Sequence, residues 1–151
     1  MSMKQVIFKL GDEEYGMDIL LVDAITNYSE IVDVPDYPEY ILGILNLRGD
    51  VIPIYSLRKK FGMEEIEATD KTQLLITKTN GNLVGFKVDS VSEIIEFSEE
   101  EIHDIPVIVK NEETSYAACV AKKGEHLVLL LDNEKILSKN ENEVLKKVSG
   151  N

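Results

Sequence analysis

One cysteine and two histidines in 151 residues leave little from which to build a metal centre or a proton-transfer site. No Cys/His set has the spacing of a zinc site. A lone Cys119 excludes an internal disulfide, which suits a reducing compartment. It lies in the apolar run Tyr116–Val120, with no basic neighbour or helix start to lower its pKa, so it reads as a buried structural thiol. His103 and His126 stand beside acidic residues and read as surface histidines. Gly81 and Gly85 are too isolated for a phosphate-binding loop. The Glu99-Glu100-Glu101 run lacks the alternating oxygen ligands of a calcium loop and reads as a solvated charge run or helix start. Positive charge is scarce as well: 16 Lys and Arg against 28 Asp and Glu give a net charge of −12. A field of that sign repels phosphate backbones and argues against a nucleic-acid partner. No apolar run approaches the roughly 20 residues that span a bilayer, and no basic stretch leads into a long apolar core at the N-terminus. The sequence thus predicts no catalytic residue, no metal, no cofactor, no membrane insertion and a cytoplasmic location.

What the chain does have is short apolar runs with turn residues between them, and 44% hydrophobic residues to bury. The spacing predicts strands over Lys4–Leu10, Tyr15–Leu21, Thr72–Thr79, Leu83–Val91, Tyr116–Ala121 and His126–Leu131. The most informative stretch is Gly43–Gly62, in which two apolar runs flank Arg48-Gly49-Asp50 as a hairpin. Pro53 has no N–H to donate, which points to an edge strand, a bulge or a strand start. Ser56 is placed to cap a short helix over Leu57–Phe61 that Gly62 ends. Asp132 is placed to cap a C-terminal helix through Ile136, Leu137, Val144, Leu145 and Val148. An internal echo accompanies these elements. Gly16, Ile19, Val22 and Ile25 are answered by Gly85, Val88, Val91 and Ile94. Gly49, Ile52, Ile54 and Phe61 are answered by Gly124, Leu127, Leu129 and Ile136. The echo predicts two similar small β-lobes with a cleft between them in which a partner can dock.

Four segments carry a family resemblance over about Val6 to Leu137. They are Phe8–Gly16 with Asp18-Ile19-Leu20, the Gly43–Gly62 block with Asn46-Leu47-Arg48-Gly49, Val84–Val91, and Leu130-Leu131-Asp132. Their order and spacing together resemble the bacterial chemotaxis coupling proteins of the CheW-like family. The resemblance implies a mainly β fold: two SH3-like five-stranded β-barrel lobes side by side, short helices and a C-terminal helix, in a single domain over 4–148. It also implies a non-enzymatic adaptor, recruited from the cytoplasm to receptor arrays at the membrane. Such an adaptor couples the tips of methyl-accepting chemoreceptors to the regulatory domain of the chemotaxis histidine kinase. By motif position, Val22 and Ile25 fall at the kinase contact, with Gly43 and Ile44 close by, and Arg48, Val88 and Val91 fall near the receptor-facing cleft. The chain departs from the family pattern at Ala24, where many members carry a Glu able to pair with the motif arginine. Arg48 is then left to Asp23, Glu30 or Asp50, or to solvent. The alternative reading is a CheW-like scaffold of a different, non-flagellar histidine-kinase system.

Overall fold

Burial in the first strand, β1 (Lys4–Leu10), runs unbroken from Gln5 to Phe8, so both faces of that strand are covered. Because side chains alternate sides along a strand, Val6, Phe8 and Leu10 enter one core and Ile7 another. The same alternation sorts β6 (Gln73–Thr79), where Leu75 faces the first of these cores while Leu74 and Ile76 face a third. A computed structural model of the chain describes residues 3–29, 31–33, 40–79, 81–105 and 116–136.

The remaining strands are β2 (Glu13–Asp18), β3 (Val22–Asn27), β4 (Ile41–Leu47), β5 (Asp50–Ser56), β7 (Asn82–Val88), β8 (Ser90–Glu96), β9 (Ile102–His103), β10 (Ala117–Lys123) and β11 (His126–Leu131). One sheet has the order β8-β1-β2-β11-β10-β9 and the other β3-β6-β7-β5-β4. These are the two expected lobes, the first extended by the two-residue strand β9. Among the described residues, five buried side chains fill the interior of the second lobe and seven that of the first, but fourteen lie in the core between the sheets. The space expected as a cleft therefore holds the largest core. Phe8 stacks on Tyr15, Tyr15 meets Phe61 at a tilt, and Phe61 stacks on Tyr116 at 4.1 Å across this junction.

Each lobe is a composite. The chain consists of two repeats, β1–β5 and β6–β11, and each sheet takes the first hairpin of one repeat and the later strands of the other. The ladders β1·β8, β2·β11, β3·β6 and β5·β7 all join one repeat to the other. The repeats agree in detail. The β1·β8 register shifts at Ile7/Phe8, and the β3·β6 register shifts at the matching Val22/Ala24. Gly16 and Gly85 match as well: a Cβ on Gly16 would stand 2.7 Å from Leu130 and one on Gly85 2.5 Å from Ile54, each its partner in a parallel ladder. The second half of the echo is one residue out. Ile54 pairs with Gly85 and Leu130 with Gly16, so Ile54 corresponds to Leu130, not Leu129, and Val51 to Leu127. A one-residue slip exchanges the faces of a strand, which is why Val51 and Leu127 are both exposed while Ile52 and Val128 are both buried.

Other expectations are met or corrected locally. The Ser56 side chain accepts the Lys59 N–H at 3.2 Å and caps helix α1 (Leu57–Lys60), with Gly62 just beyond at φ +79. Pro53 lies in an interior strand, between β7 and β4. It is tolerated because its partner Ile44 directs its backbone groups away to Val32, and the β5·β7 ladder begins only at Ile54. The predicted Leu83–Val91 strand is two strands, broken at Asp89, and Tyr15–Leu21 ends at Asp18 in a 3₁₀ turn over Ile19–Leu21. Helix α2 (Asn133–Ile136) starts after Asp132, whose carbonyl accepts from Lys135 and Ile136. The predicted helix beyond Ile136 lies outside the described residues.

Candidate functional site

The chain passes from the six-stranded to the five-stranded sheet through the Ile19–Leu21 turn, which Asp18 caps by accepting the Leu20 N–H at 2.9 Å. That cap turns the chain so sharply that Leu20 is 80% exposed, and Leu21 is exposed beside it. The turn leads into β3, an edge strand of alternating exposure. Ile25 faces outward at 41% exposure. Val22 packs half-buried on the core between the sheets, and Ala24 on the interior of its own lobe. The register shift between Val22 and Ala24 explains how two residues of like parity enter different cores.

The opposite edge of that sheet is β4. The chain leaving β3 comes round to it: Val32 N–H donates to Ile44 O at 3.0 Å, and Ile44 N–H to Val32 O at 2.9 Å. Gly43 makes that approach possible. Its φ is +151, and a Cβ there would sit 2.3 Å from the Val32 carbonyl oxygen. Gly43 is buried, Ile44 is half-buried, and the exposed apolar side chain at this place is Val32.

Arg48 stands at the tip of the β4–β5 hairpin with φ +52, followed by Gly49 at +86. Both values belong to a type I′ turn, which fits the twist of the flanking strands but strains a residue with a side chain. Gly124 holds the corresponding place in the other lobe at φ +60. The Arg48 side chain is exposed, and among the described residues it makes no hydrogen bond or ion pair with Asp23, Asp50 or any other group. Glu30 lies outside those residues. Val88 is 1% exposed within the core between the sheets, so its side chain offers no surface to a receptor. Its outward neighbour in this region is Val91, half-buried against the same core.

Several surface features were missed from the sequence. Leu20 and Leu21 look like the continuation of an apolar strand, and only the Asp18 cap marks the turn that exposes them. Ile94, by contrast, is already matched to Ile25 by the echo, and it is exposed on the edge strand β8. Arg58 grips Asp89 with two bonds, of 2.8 and 2.6 Å, at the second crossover between the sheets. The Gly11 N–H adds a third bond to that carboxylate at 2.7 Å. Burial pushes the Asp89 pKa up, but Arg58 and the Gly11 N–H outweigh it and hold it below the ordinary carboxylate value. Burial and the nearby Asp104 push the Cys119 thiol up, away from a reactive thiolate. Among the described residues there is no group of three or more His, Cys, Asp or Glu able to hold a metal ion, and no helix long and apolar enough to cross a membrane. The candidate site thus comprises exposed apolar side chains on sheet edges and an exposed hairpin-tip arginine that has no partner among the described residues, features suited to protein contacts.

Comparison with known proteins agrees with that character. The family model for the CheW-like domain matches residues 4–141. The Chemotaxis protein CheW of Klebsiella aerogenes is 35% identical over 136 residues, 90% of this chain and 82% of that protein. The Chemotaxis protein CheW of Helicobacter pylori is also 35% identical, over 87% of this chain and 79% of its own length. The crystal structure of the scaffolding protein TtCheW from Thermoanaerobacter tengcongensis superposes with a TM-score of 0.84 at 31% identity, covering 93% of this chain and 96% of that one. By sequence over most of its length and by the arrangement of its two lobes, the chain belongs to the CheW-like family.

Proposed function

We propose that the chain is a chemotaxis adaptor that couples chemoreceptors to a histidine kinase through protein contacts, without chemistry or a cofactor of its own. The observation that carries this reading is the exposed apolar path Leu20, Leu21 and Ile25, which leads from a crossover into an edge strand on a chain of net charge −12. Isolated exposed apolar residues are ordinary, but a succession of them at a sheet edge marks a place where another protein packs. Ile25 is assigned to the regulatory domain of the kinase together with Val22, half-buried on the core between the sheets, and Gly43 and Ile44 on the opposite edge strand β4 complete the assignment. Arg48 and Val91 are assigned to the receptor tip. Val88 is given only a structural part. Recruitment to receptor arrays at the membrane then follows from the partners, and many modest contacts act together there through multivalency. The chemotaxis names of the relatives favour this system over a non-flagellar one.

The test is a calorimetric titration against the regulatory domain of the histidine kinase encoded nearest to this protein. Saturable one-to-one binding is expected, weakened at least tenfold, about 1.4 kcal/mol, by Ile25→Asp. Ile25 is preferable to Val22 for this purpose, because an Asp at Val22 would intrude on the core between the sheets. Undiminished binding by a folded Ile25→Asp protein removes β3 from the interface, and absence of binding by the folded wild type removes this kinase as the partner. An Arg48→Ala protein is expected to bind the kinase normally and to lose receptor coupling in reconstituted arrays.

A further inference from the structure

We propose that this chain also closes on a second copy of itself, exchanging whole repeats, with residues 61–72 as the hinge. Four ladders hold the fold together across the repeats, β1·β8, β2·β11, β3·β6 and β5·β7. Every one of them joins β1–β5 to β6–β11, and none depends on both repeats lying in one chain. Repeat one of one copy with repeat two of another rebuilds all four ladders and the core between the sheets unchanged. Only the connection differs. Residues 61–72 contain no helix or strand, and twelve residues reach about 40 Å when extended. In the monomer this connection is anchored at its start by Phe61 and Met63, which pack on the core between the sheets, and at its end by the Tyr28 N–H donating to Thr72 O at 3.3 Å. Between them Lys87 Nζ donates to Ile66 O at 2.8 Å and stands 3.5 Å from Glu65, and Arg58 Nη1 donates to Glu64 O at 3.0 Å. Exchange of identical elements through such a hinge is an inexpensive route to dimers, because each interaction broken within a chain is remade between two chains. Exchange after folding would require all four ladders to open, so the two forms are set during folding and persist afterwards.

The decisive experiment uses the paired residues Asn27 and Gln73 on β3 and β6, whose side chains meet at 3.4 Å. In a Cys119→Ala background, one full-length protein carries Asn27→Cys and a second carries Gln73→Cys. A third carries both and closes the disulfide within one chain, establishing the geometry. The two single variants, unfolded, mixed and refolded together under oxidising conditions, are expected to yield a covalent dimer. The ratio of dimer to monomer rises about tenfold for each tenfold rise in concentration at low conversion. Mixing the same proteins already folded yields none. A double variant that closes its own disulfide, beside a co-refolded mixture that gives no covalent dimer at any soluble concentration, overturns the proposal. Deleting residues 67–70 shortens the hinge and is expected to make the dimer the major species by light scattering. A folded, monomeric deletion protein also overturns it.

Discussion

The two lobes share one plan and differ in what they present. Each has a register shift on its swapped edge strand, a glycine under the parallel crossing and an exposed isoleucine, Ile25 in one and Ile94 in the other. Their charges diverge. Among the described residues the six-stranded lobe (3–18, 90–105 and 116–136) carries thirteen acidic and five basic residues, and the five-stranded lobe (22–29, 31–33, 40–79 and 81–88) carries seven of each. Matching positions diverge too: Ala24 faces Glu93, Arg48 faces Gly124, and Gly43 faces Cys119 across the repeat. The shared features are those that alternation and strand crossing require. The differing ones stand at edges, turns and surfaces, where packing leaves the side chain free. Duplication of a fold thus yields two surfaces of like shape and unlike chemistry.

The largest effect that would sharpen this comparison is expected at Gly43. An alanine there meets the Val32 carbonyl oxygen at 2.3 Å in a backbone conformation that L residues rarely adopt, and roughly 3 kcal/mol or more of stability should be lost. The matching change Cys119→Ala removes one buried sulfur and should cost about 1 kcal/mol. Urea denaturation of both variants decides the matter; equal losses would mean that the two edges are built alike.

A smaller effect is expected where the second crossover is clamped. Asp89→Asn strips Arg58 of its charged partner and should lose roughly 1–2 kcal/mol, toward the lower figure because the pair is partly in water. The Asp89 pKa is lower folded than unfolded. Its contribution is therefore complete above the unfolded value of about 4 and fades as pH falls through the folded value. The gap between wild type and Asp89→Asn in thermal midpoint should accordingly close in acid. A gap independent of pH would assign the loss to packing instead.

The smallest effect lies on the acidic lobe, at an exposed pair. The hydrogen bond and charge of Glu14, 2.9 Å from Nδ1, raise the His126 pKa. Glu14→Gln should return it toward the ordinary histidine value by NMR titration. Because the folded value is the raised one, the pair stabilises below the unfolded pKa and ceases to do so as pH rises through the folded pKa. An unshifted resonance in Glu14→Gln would show that the pair does not persist in solution.

Much of this architecture was legible in the residues. The runs at Lys4–Leu10 and His126–Leu131, the Arg48-Gly49 turn and the Ser56 cap are local, each decided by side-chain periodicity or by the backbone freedom of one residue. The match of Gly16 to Gly85 was legible for the same reason. The register of the second half of the echo was not, because a one-residue slip leaves the composition unchanged and reverses only which face is covered. Val88 illustrates the same limit in the candidate site: valine on a strand reads alike whether the neighbouring sheet covers it or solvent does. Leu20 is the converse, an apolar residue thrown outward by a cap two residues earlier.

By itself the sequence determined that the chain is β-rich, twice-repeated, acidic and poor in catalytic groups, because composition and short-range spacing suffice for each of these. Its motif order also pointed to the family. The tertiary structure alone decided that the repeats exchange hairpins, that the space between the lobes is core, that Pro53 is interior, and which apolar residues face outward. Those outcomes depend on pairings between strands as far apart as β1 and β8 or β2 and β11, and no local preference encodes the partner of a strand.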